Sequence, residues 1–499
     1  MSLNQGDLHP VTKPRIFISA DHGLAVVYFL QTDVLPALLE GGLDVVLLTD
    51  DGLREQIQQR FGQPGLIVEG LRFKQARQYF EGYRHGLQYW LHFLRWMGGS
   101  NRINTNAMDG HLAQMAHETS PRGKKLMPLV RAATWVLRRS RLARQILVNS
   151  QRHFTSNIYS DLFDKHQPQL VVASTPGWRL DRFLLREAAA RGVRTAAAIV
   201  GWDNPSSYRL PGAPLDFISC WSEIQKQELV LGSDCSPERV NIGGIPSYDG
   251  YFRKTWQMPR AEYFALHGLD PNRKLLAYAS SFVTFAPNYP NIEALAHLVS
   301  SNALSEPCQL LIRLHPNHFM PGSLYEDEAS RVRALIRGLP HVHLVEPVPL
   351  GGELGYYSGE DMPEKSSMMA HADIFLTVYS TMVVETAIHD RPIIGVCLDV
   401  PGGWNTPGKF SLPLAQIAEW PTHLRFRQAG AGRVAMTAEE LRESVNFYLQ
   451  NPAADRPARQ RFIRDEVTFT DGSAGLRTGE ALRQLALEGH WPQQSISLQ

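Results

Sequence analysis

The chain has 499 residues, 43% hydrophobic and 20% charged, with 50 Lys and Arg against 49 Asp and Glu for a formal net charge of +1. That length exceeds what one compact core holds, and that composition excludes a disordered, fibrous or collagen-like chain, so two or three globular domains are expected. The balanced charge gives the chain as a whole no attraction for a polyanion, and no nucleic-acid partner is expected.

Short apolar β-type runs alternate with amphipathic helical runs, the pattern of parallel-sheet α/β domains. The first series is RIFISA (15–20), DVVLLTD (44–50), LIVEG (66–70), QLVVAST (169–175), RTAAAIVG (194–201), FISCWS (217–222) and VNIGG (240–244). Between the third and fourth runs, residues 72–160 are helical in composition and too long for a crossover, so a helical insertion is expected there. Its segment 119–160 carries nine Arg and Lys and no Asp or Glu, interleaved with Leu126, Val130, Trp135, Val136, Leu142 and Ile146. Such a stretch suits an anionic membrane surface or a phosphorylated acceptor; equally, it suits a helical layer whose arginines face water.

The Gly- and Pro-bearing stretch GGIPSYDGYFRKTWQMPRAEY (243–263) reads as a linker. A second strand series follows: KLLAYASS (274–281), QLLIRLHP (309–316), VHLVEP (342–347), IFLTVY (374–379) and PIIGVCLD (392–399). The predicted fold class is α/β, with two Rossmann-like domains facing across a cleft. Residues 1–250 form the N-terminal domain, 251–455 the C-terminal domain, and 456–499 are C-terminal helices packing back toward the first. MSLNQGDLHPVTKPR at the start lacks an apolar signal core, and no uncharged apolar run approaches the ~20 residues of a membrane span. The four cysteines, at 220, 235, 308 and 397, form no CxxC pair and read as free thiols. A cytoplasmic protein is expected, peripheral on the inner face of the membrane if the basic segment binds lipid.

Open α/β sheets bind ligands at the carboxyl ends of their strands, so the residues just after each run carry the chemistry. In the C-terminal half, YASSF (278–282) puts Ser280 and Ser281 after a strand, and LLIRLHPNH puts His315 after the next, where an imidazole can donate to a phosphate oxygen. Ser380 and Thr381 follow a third strand where a helix begins, so they can cap it beside free backbone N–H groups. Glu385 lies one helical turn past Thr381, within reach of a ribose hydroxyl. In the N-terminal half, SADHG carries Asp21 and His22, and TDDG carries Asp50 and Asp51. VGWDNPSSY (200–208) offers the Trp202 ring to a sugar face, with Asp203 and Asn204 as hydroxyl partners; an Asn-Pro turn packed by tryptophan is an equal reading. ASTPGWRLDR (173–182) offers Arg179 or Arg182 to an anionic group. No DxD-like pair stands at a strand end in the C-terminal half, and no His, Cys and Asp cluster has metal-ligand spacing, so neither an essential metal nor another cofactor is expected.

The two Rossmann-like halves, GIPSYD (244–249), RLHP, STMVVETAIHDRPII and FTDGSAGLRTGEALRQL (469–485) together resemble the GT-B glycosyltransferase superfamily. More narrowly they are similar to its bacterial CDP-glycerol glycerophosphotransferase-like and capsule or sialic-acid transferase-like branches. The resemblance covers 14–485 outside the insertion. It implies a nucleotide-sugar donor in the C-terminal domain at Ser280, His315, Ser380, Thr381 and Glu385, and a glycan or lipid-linked acceptor in the N-terminal domain. It also implies transfer of a sugar or polyol phosphate in cell-surface polysaccharide synthesis. In several such families a histidine after the first strand deprotonates the acceptor, the place His22 holds, with Asp21 able to orient it. Bacterial sialyltransferases use an acidic motif that Asp50-Asp51-Gly52 matches in letters. His22 therefore ranks first as base and Asp51 second. Two other readings stay open: a UDP-N-acetylglucosamine 2-epimerase-like enzyme, and a non-catalytic module that binds nucleotide or glycan.

Overall fold

The computed structural model describes residues 13–103, 105–208, 210–280, 288–319, 326–346, 359, 361–378, 380–398, 410 and 412–492. The first series of apolar runs forms β1 (Arg15–Ser19), β2 (Asp44–Thr49), β3 (Leu66–Gly70), β4 (Leu170–Ala173), β5 (Arg194–Ala198), β6 (Phe217–Cys220) and β7 (Val240–Ile242). They make one sheet in the order β3-β2-β1-β4-β5-β6-β7, parallel throughout. The second series forms β8 (Lys274–Ala279), β9 (Cys308–Arg313), β10 (Val342–Val345), β11 (Ile374–Thr377), β12 (Ile393–Val396) and β13 (Arg433–Ala435). Their sheet, also parallel, has the order β10-β9-β8-β11-β12-β13. Each sheet therefore reverses its strand order once, between β1 and β4 in the first and between β8 and β11 in the second. Crevices at such reversals are where doubly wound sheets hold ligands.

The strands read as unbroken apolar runs because helices cover both faces: Val45, Val46, Leu47 and Leu48 of β2 are all fully buried. Several ladders stop before the apolar runs do. β5 ends at Ala198, while Ile199 and Val200 continue, buried, into the following turn. β13 was not expected; three residues beginning with arginine carry too little pattern to read.

The insertion is helical, with Phe73–Gly82, His85–Met97, Asn106–Glu118, Pro121–Arg139 and Arg141–Ser150 lying between β3 and β4. Its own small core joins Phe93, Met97, Met108, Met127 and Val130. Buried Arg95 ties it to the first domain by donating to the Leu210 carbonyl at 2.7 Å. It reaches the second domain through Gly110, where an added Cβ would come within 2.8 Å of Leu412.

Helix Ala474–Glu488 crosses back onto the first domain. Its N-terminal amides at Ala474 and Gly475 donate to the two Asp249 oxygens at 3.0 and 2.7 Å, and Gly479 leaves room for Val34 and Ala37. One continuous apolar core contains Phe17 and Val171 of the first sheet together with Leu275 and Phe375 of the second. The stretch 243–263 is a packed element of this junction, for Tyr248, Tyr251 and Tyr263 are buried within it. All four cysteines are free thiols. No single helix among the described residues is long and apolar enough to cross a membrane; the bent pair Gly23–Leu30 and Val34–Glu40 has the length and composition, but it lines this core.

Candidate active site at the two strand-order reversals

β1 leads through buried Ala20 and Asp21 to His22, which takes up extended backbone before the helix Gly23–Leu30. Because β4 lies beside β1, the loop after β4 closes over the same spot. Asp21 is fully buried and accepts three hydrogen bonds or ion pairs: His22 Nδ1 at 2.6 Å, Ser174 Oγ at 2.7 Å and Arg179 Nε at 3.0 Å. Burial works to raise its pKa, but Arg179, His22 and Ser174 together hold it well below the usual carboxylate range. Held at Nδ1 by the buried Asp21 carboxylate, the His22 imidazole keeps 17% side-chain exposure. That is the arrangement of a base held in one tautomer by a buried carboxylate.

A second carboxylate supports the loop. Asp181 is fully buried, accepts from the Thr175 hydroxyl at 2.6 Å and amide at 3.2 Å, and takes the Arg179 amide at 3.2 Å. Burial and the charge of Asp21 push its pKa up to about 7. The turn also requires Gly177, which has φ of +76° and stands against Gly212, where a Cβ would have no room. Ser174, Thr175 and Asp181 were not singled out from sequence. Their signal was present in ASTPGWRLDR, but only the strand order brings that loop to His22.

Arg179 keeps 41% side-chain exposure while bonding Asp21. Arg182 is a correction: it is buried, donates to the Arg179 carbonyl and lies over the Phe80 and Phe183 rings, not at the surface. The acidic turn after β2 sends its two aspartates to different places. Asp50, not Asp51, caps the following turn, accepting from Gly52 at 2.8 Å. Asp51 is exposed over Gly70 at the end of β3, and the Asp21 carboxylate serves His22 alone of the two candidate bases.

Trp202 is the clearest correction. Its side chain is 1% exposed and its indole donates to Glu466 at 2.7 Å, so it offers no face to a sugar. Asp203 is spent locally, taking the Ser207 hydroxyl at 3.3 Å, with burial raising its pKa; Asn204 opens the short helix Asn204–Tyr208 beside Gly201.

At the second reversal, Ser280 follows β8 and accepts from the His315 amide at 2.6 Å, joining the ends of β8 and β9. Ser281 lies outside the described residues. Burial and the neighbouring charges of His318, Arg313 and Lys365 push the pKa of His315 down to about 3. Of the two hydroxyls after β11, Ser380 does the capping, accepting from Met382 at 3.2 Å, while Thr381 makes no side-chain cap. Glu385 is buried, and one of its oxygens accepts from the Tyr251 hydroxyl at 2.6 Å and meets Lys365 Nζ at 2.5 Å. Arg313 is buried between Asp361 and Glu364. Sequence reading missed Lys365 and Arg313 because both depend on the helix Met362–His371, which carries Lys365 to Glu385 and brings Asp361 and Glu364 to Arg313 only in three dimensions. Among the described residues, no group of three or more His, Cys, Asp and Glu side chains could hold a metal ion.

No protein-family model matches the chain, and no curated protein matches it in sequence. Solved structures do match in fold. The S. aureus MnaA–UDP co-structure is similar at 10% identity and a TM-score of 0.51, over 96% of this chain and 99% of that one. The UDP-GlcNAc 2-epimerase from Neisseria meningitidis, bound to UDP-GlcNAc, is similar at 11% identity and a TM-score of 0.50, over 94% and 99%. With two parallel six- and seven-stranded sheets, each reversing once and each bearing its polar cluster at that reversal, the chain has the GT-B fold.

Proposed function

We propose that this chain is a nucleotide-sugar-dependent glycosyltransferase that moves a sugar or polyol phosphate to the hydroxyl of a glycan or lipid-linked acceptor, in cell-surface polysaccharide synthesis. The observation that carries the reading is the Asp21–His22 pair at the β1/β4 reversal: a part-exposed imidazole, 2.6 Å from a carboxylate that three groups hold ionised. In this reading His22 Nε2 takes the acceptor proton as the acceptor oxygen attacks the anomeric carbon of a sugar donor, or the phosphorus of a polyol phosphate donor, with the nucleotide as leaving group, and Asp21 stabilises the imidazolium that results. The nucleotide leaves from the second domain. The Ser280 and Ser380 turns position it, and Lys365 and His315 at the same reversal meet its developing charge, so no essential divalent ion is invoked. Arg179 holds an anionic group of the acceptor.

A second reading, an epimerase acting on the same donor by elimination and re-addition, has one observation in its favour. Asp181 takes the Arg179 amide while Asp21 takes the Arg179 guanidinium, so two carboxylates stand at the loop that closes on His22. A thermal-shift screen against CMP, CDP, UDP, GDP and dTDP identifies the nucleotide, because a ligand bound by the folded state raises its stability. The matching sugar donor is then incubated with and without acceptor hydroxyl compounds. Acceptor-dependent release of free nucleotide supports the transferase. A donor converted to its sugar epimer without acceptor supports the second reading, and nucleotide binding without either product makes the chain a non-catalytic module.

A further inference from the structure

We infer that helices Pro121–Arg139 and Arg141–Ser150 form a docking surface for an anionic lipid bilayer, with the chain lying on the membrane and not crossing it. The inward stripe of the first helix is Met127, Val130, Thr134 and Leu137, and Leu147 continues it in the second; all are buried, so the core takes one face only. The opposite face should then be polar. Instead it carries Leu126, Leu129, Trp135, Val136, Leu142 and Ile146, exposed by 43–69%. These are six of the thirteen large apolar side chains left exposed among the described residues. Scattered singly such residues mean little, but six within 21 consecutive positions make a surface.

The charges on that face are of one sign. Arg138 and Arg144 belong to the fold: Arg138 bonds Asp109 at 2.6 Å and the Met97 carbonyl, and Arg144 grips Asp234 at 2.6 and 2.8 Å. Arg122, Lys124, Lys125, Arg131, Arg139 and Arg141 make no ion pair among the described residues, and 119–160 supplies no carboxylate to satisfy them. Arg139 stacks on Trp135, its guanidinium 4.5 Å from the ring centroid. That pairing gives one apolar body with a cationic rim, as side chains at a water–lipid boundary have. The combination selects the occupant. A nucleic acid would satisfy the bases and leave the leucines in water, and a second copy of this face would set like charges against each other. An anionic bilayer takes both, the apolar side chains among the acyl chains and the bases at the headgroups. This inference stands apart from the proposed chemistry and does not rest on it.

The test is co-sedimentation of the full chain with vesicles of phosphatidylcholine alone and of phosphatidylcholine with phosphatidylserine in equal parts. The result expected is binding to the second only, weakening as salt is raised, because surface attraction is screened within a Debye length. Two variants made of exposed positions are compared: K125E/R131E/R139E, and L129S/W135S/L142S/I146S. Each is expected to lose binding by roughly tenfold or more while keeping the wild-type melting temperature. Leu266→Ser, an exposed leucine elsewhere, is expected to bind as wild type does. Equal binding to neutral vesicles, no binding to acidic ones, or acidic-vesicle binding unchanged in the two variants would overturn the inference. So would a concentration-dependent dimer that only the serine variant abolishes.

Discussion

Trp202→Phe separates a structural tryptophan from a sugar platform. The indole N–H gives 2.7 Å to a Glu466 carboxylate that is 1% exposed, and that carboxylate also takes Arg425 at 2.6 and 3.1 Å, while Arg425 reaches Glu228 at 2.8 Å. Phenylalanine removes one hydrogen bond to a charged acceptor, worth ~1.5–3 kcal/mol. Because Glu466 keeps Arg425, it is not left as an orphaned charge, and the lower half of that range applies. The narrower ring leaves a cavity beside Phe462 and His423, adding on the order of 1 kcal/mol. The expected loss is therefore ~2.5–3 kcal/mol, read from the urea midpoint by far-UV circular dichroism with an unchanged slope. Combining the variant with Glu466→Gln should recover part of the sum, since the two residues share one interaction. A loss under ~0.5 kcal/mol with strict additivity, together with weakened glycan binding, would refute the reasoning and return Trp202 to the acceptor site.

His22→Ala should lower turnover ~10²–10⁴-fold while leaving nucleotide affinity and melting temperature near wild type, and Asp51→Asn should do far less; the reverse ranking in a nucleotide-release assay rejects His22 as base. Lys365→Met should weaken nucleotide binding in titration calorimetry, whereas Ser380→Ala, which removes a cap, should cost stability of ~1 kcal/mol as well. Equal affinities in both variants would remove the second reversal from the donor site. His315 and His423 are both held neutral, pushed from 6.5 down to about 3 by burial and neighbouring positive charge. Their folded values lie below their unfolded ones, so stability present above 6.5 is lost as pH falls toward 3, and His423→Gln should flatten that slope in urea titrations. Asp181 acts oppositely, since its value rises from 3.8 to about 7: its contribution is present below the first figure and lost as pH climbs through the second. Asp181→Asn should abolish that decline, and an unchanged profile would contradict the assignment.

The sequence alone determined the strands β1 to β12 and the class of fold. Parallel strands buried on both faces must be continuous apolar runs, and runs such as DVVLLTD are unambiguous against the helices around them. It also determined that Asp21, His22, Ser280, His315 and Ser380 follow strands, because a strand's end is a local property. Strand neighbours are not local. That β4 lies beside β1 places Ser174, Arg179 and Asp181 around Asp21, although the two strands are separated by the whole insertion. The same holds for burial: nothing local distinguishes a tryptophan that stacks on a sugar from Trp202, whose indole finds its carboxylate 264 residues away. Likewise, the sequence gives nine bases in 119–160 equal standing, and only packing against Asp109 and Asp234 decides that Arg138 and Arg144 serve the fold while their neighbours face outward. Periodicity encodes which residues can be inside; which partner they meet there is set by chain segments that the sequence keeps far apart.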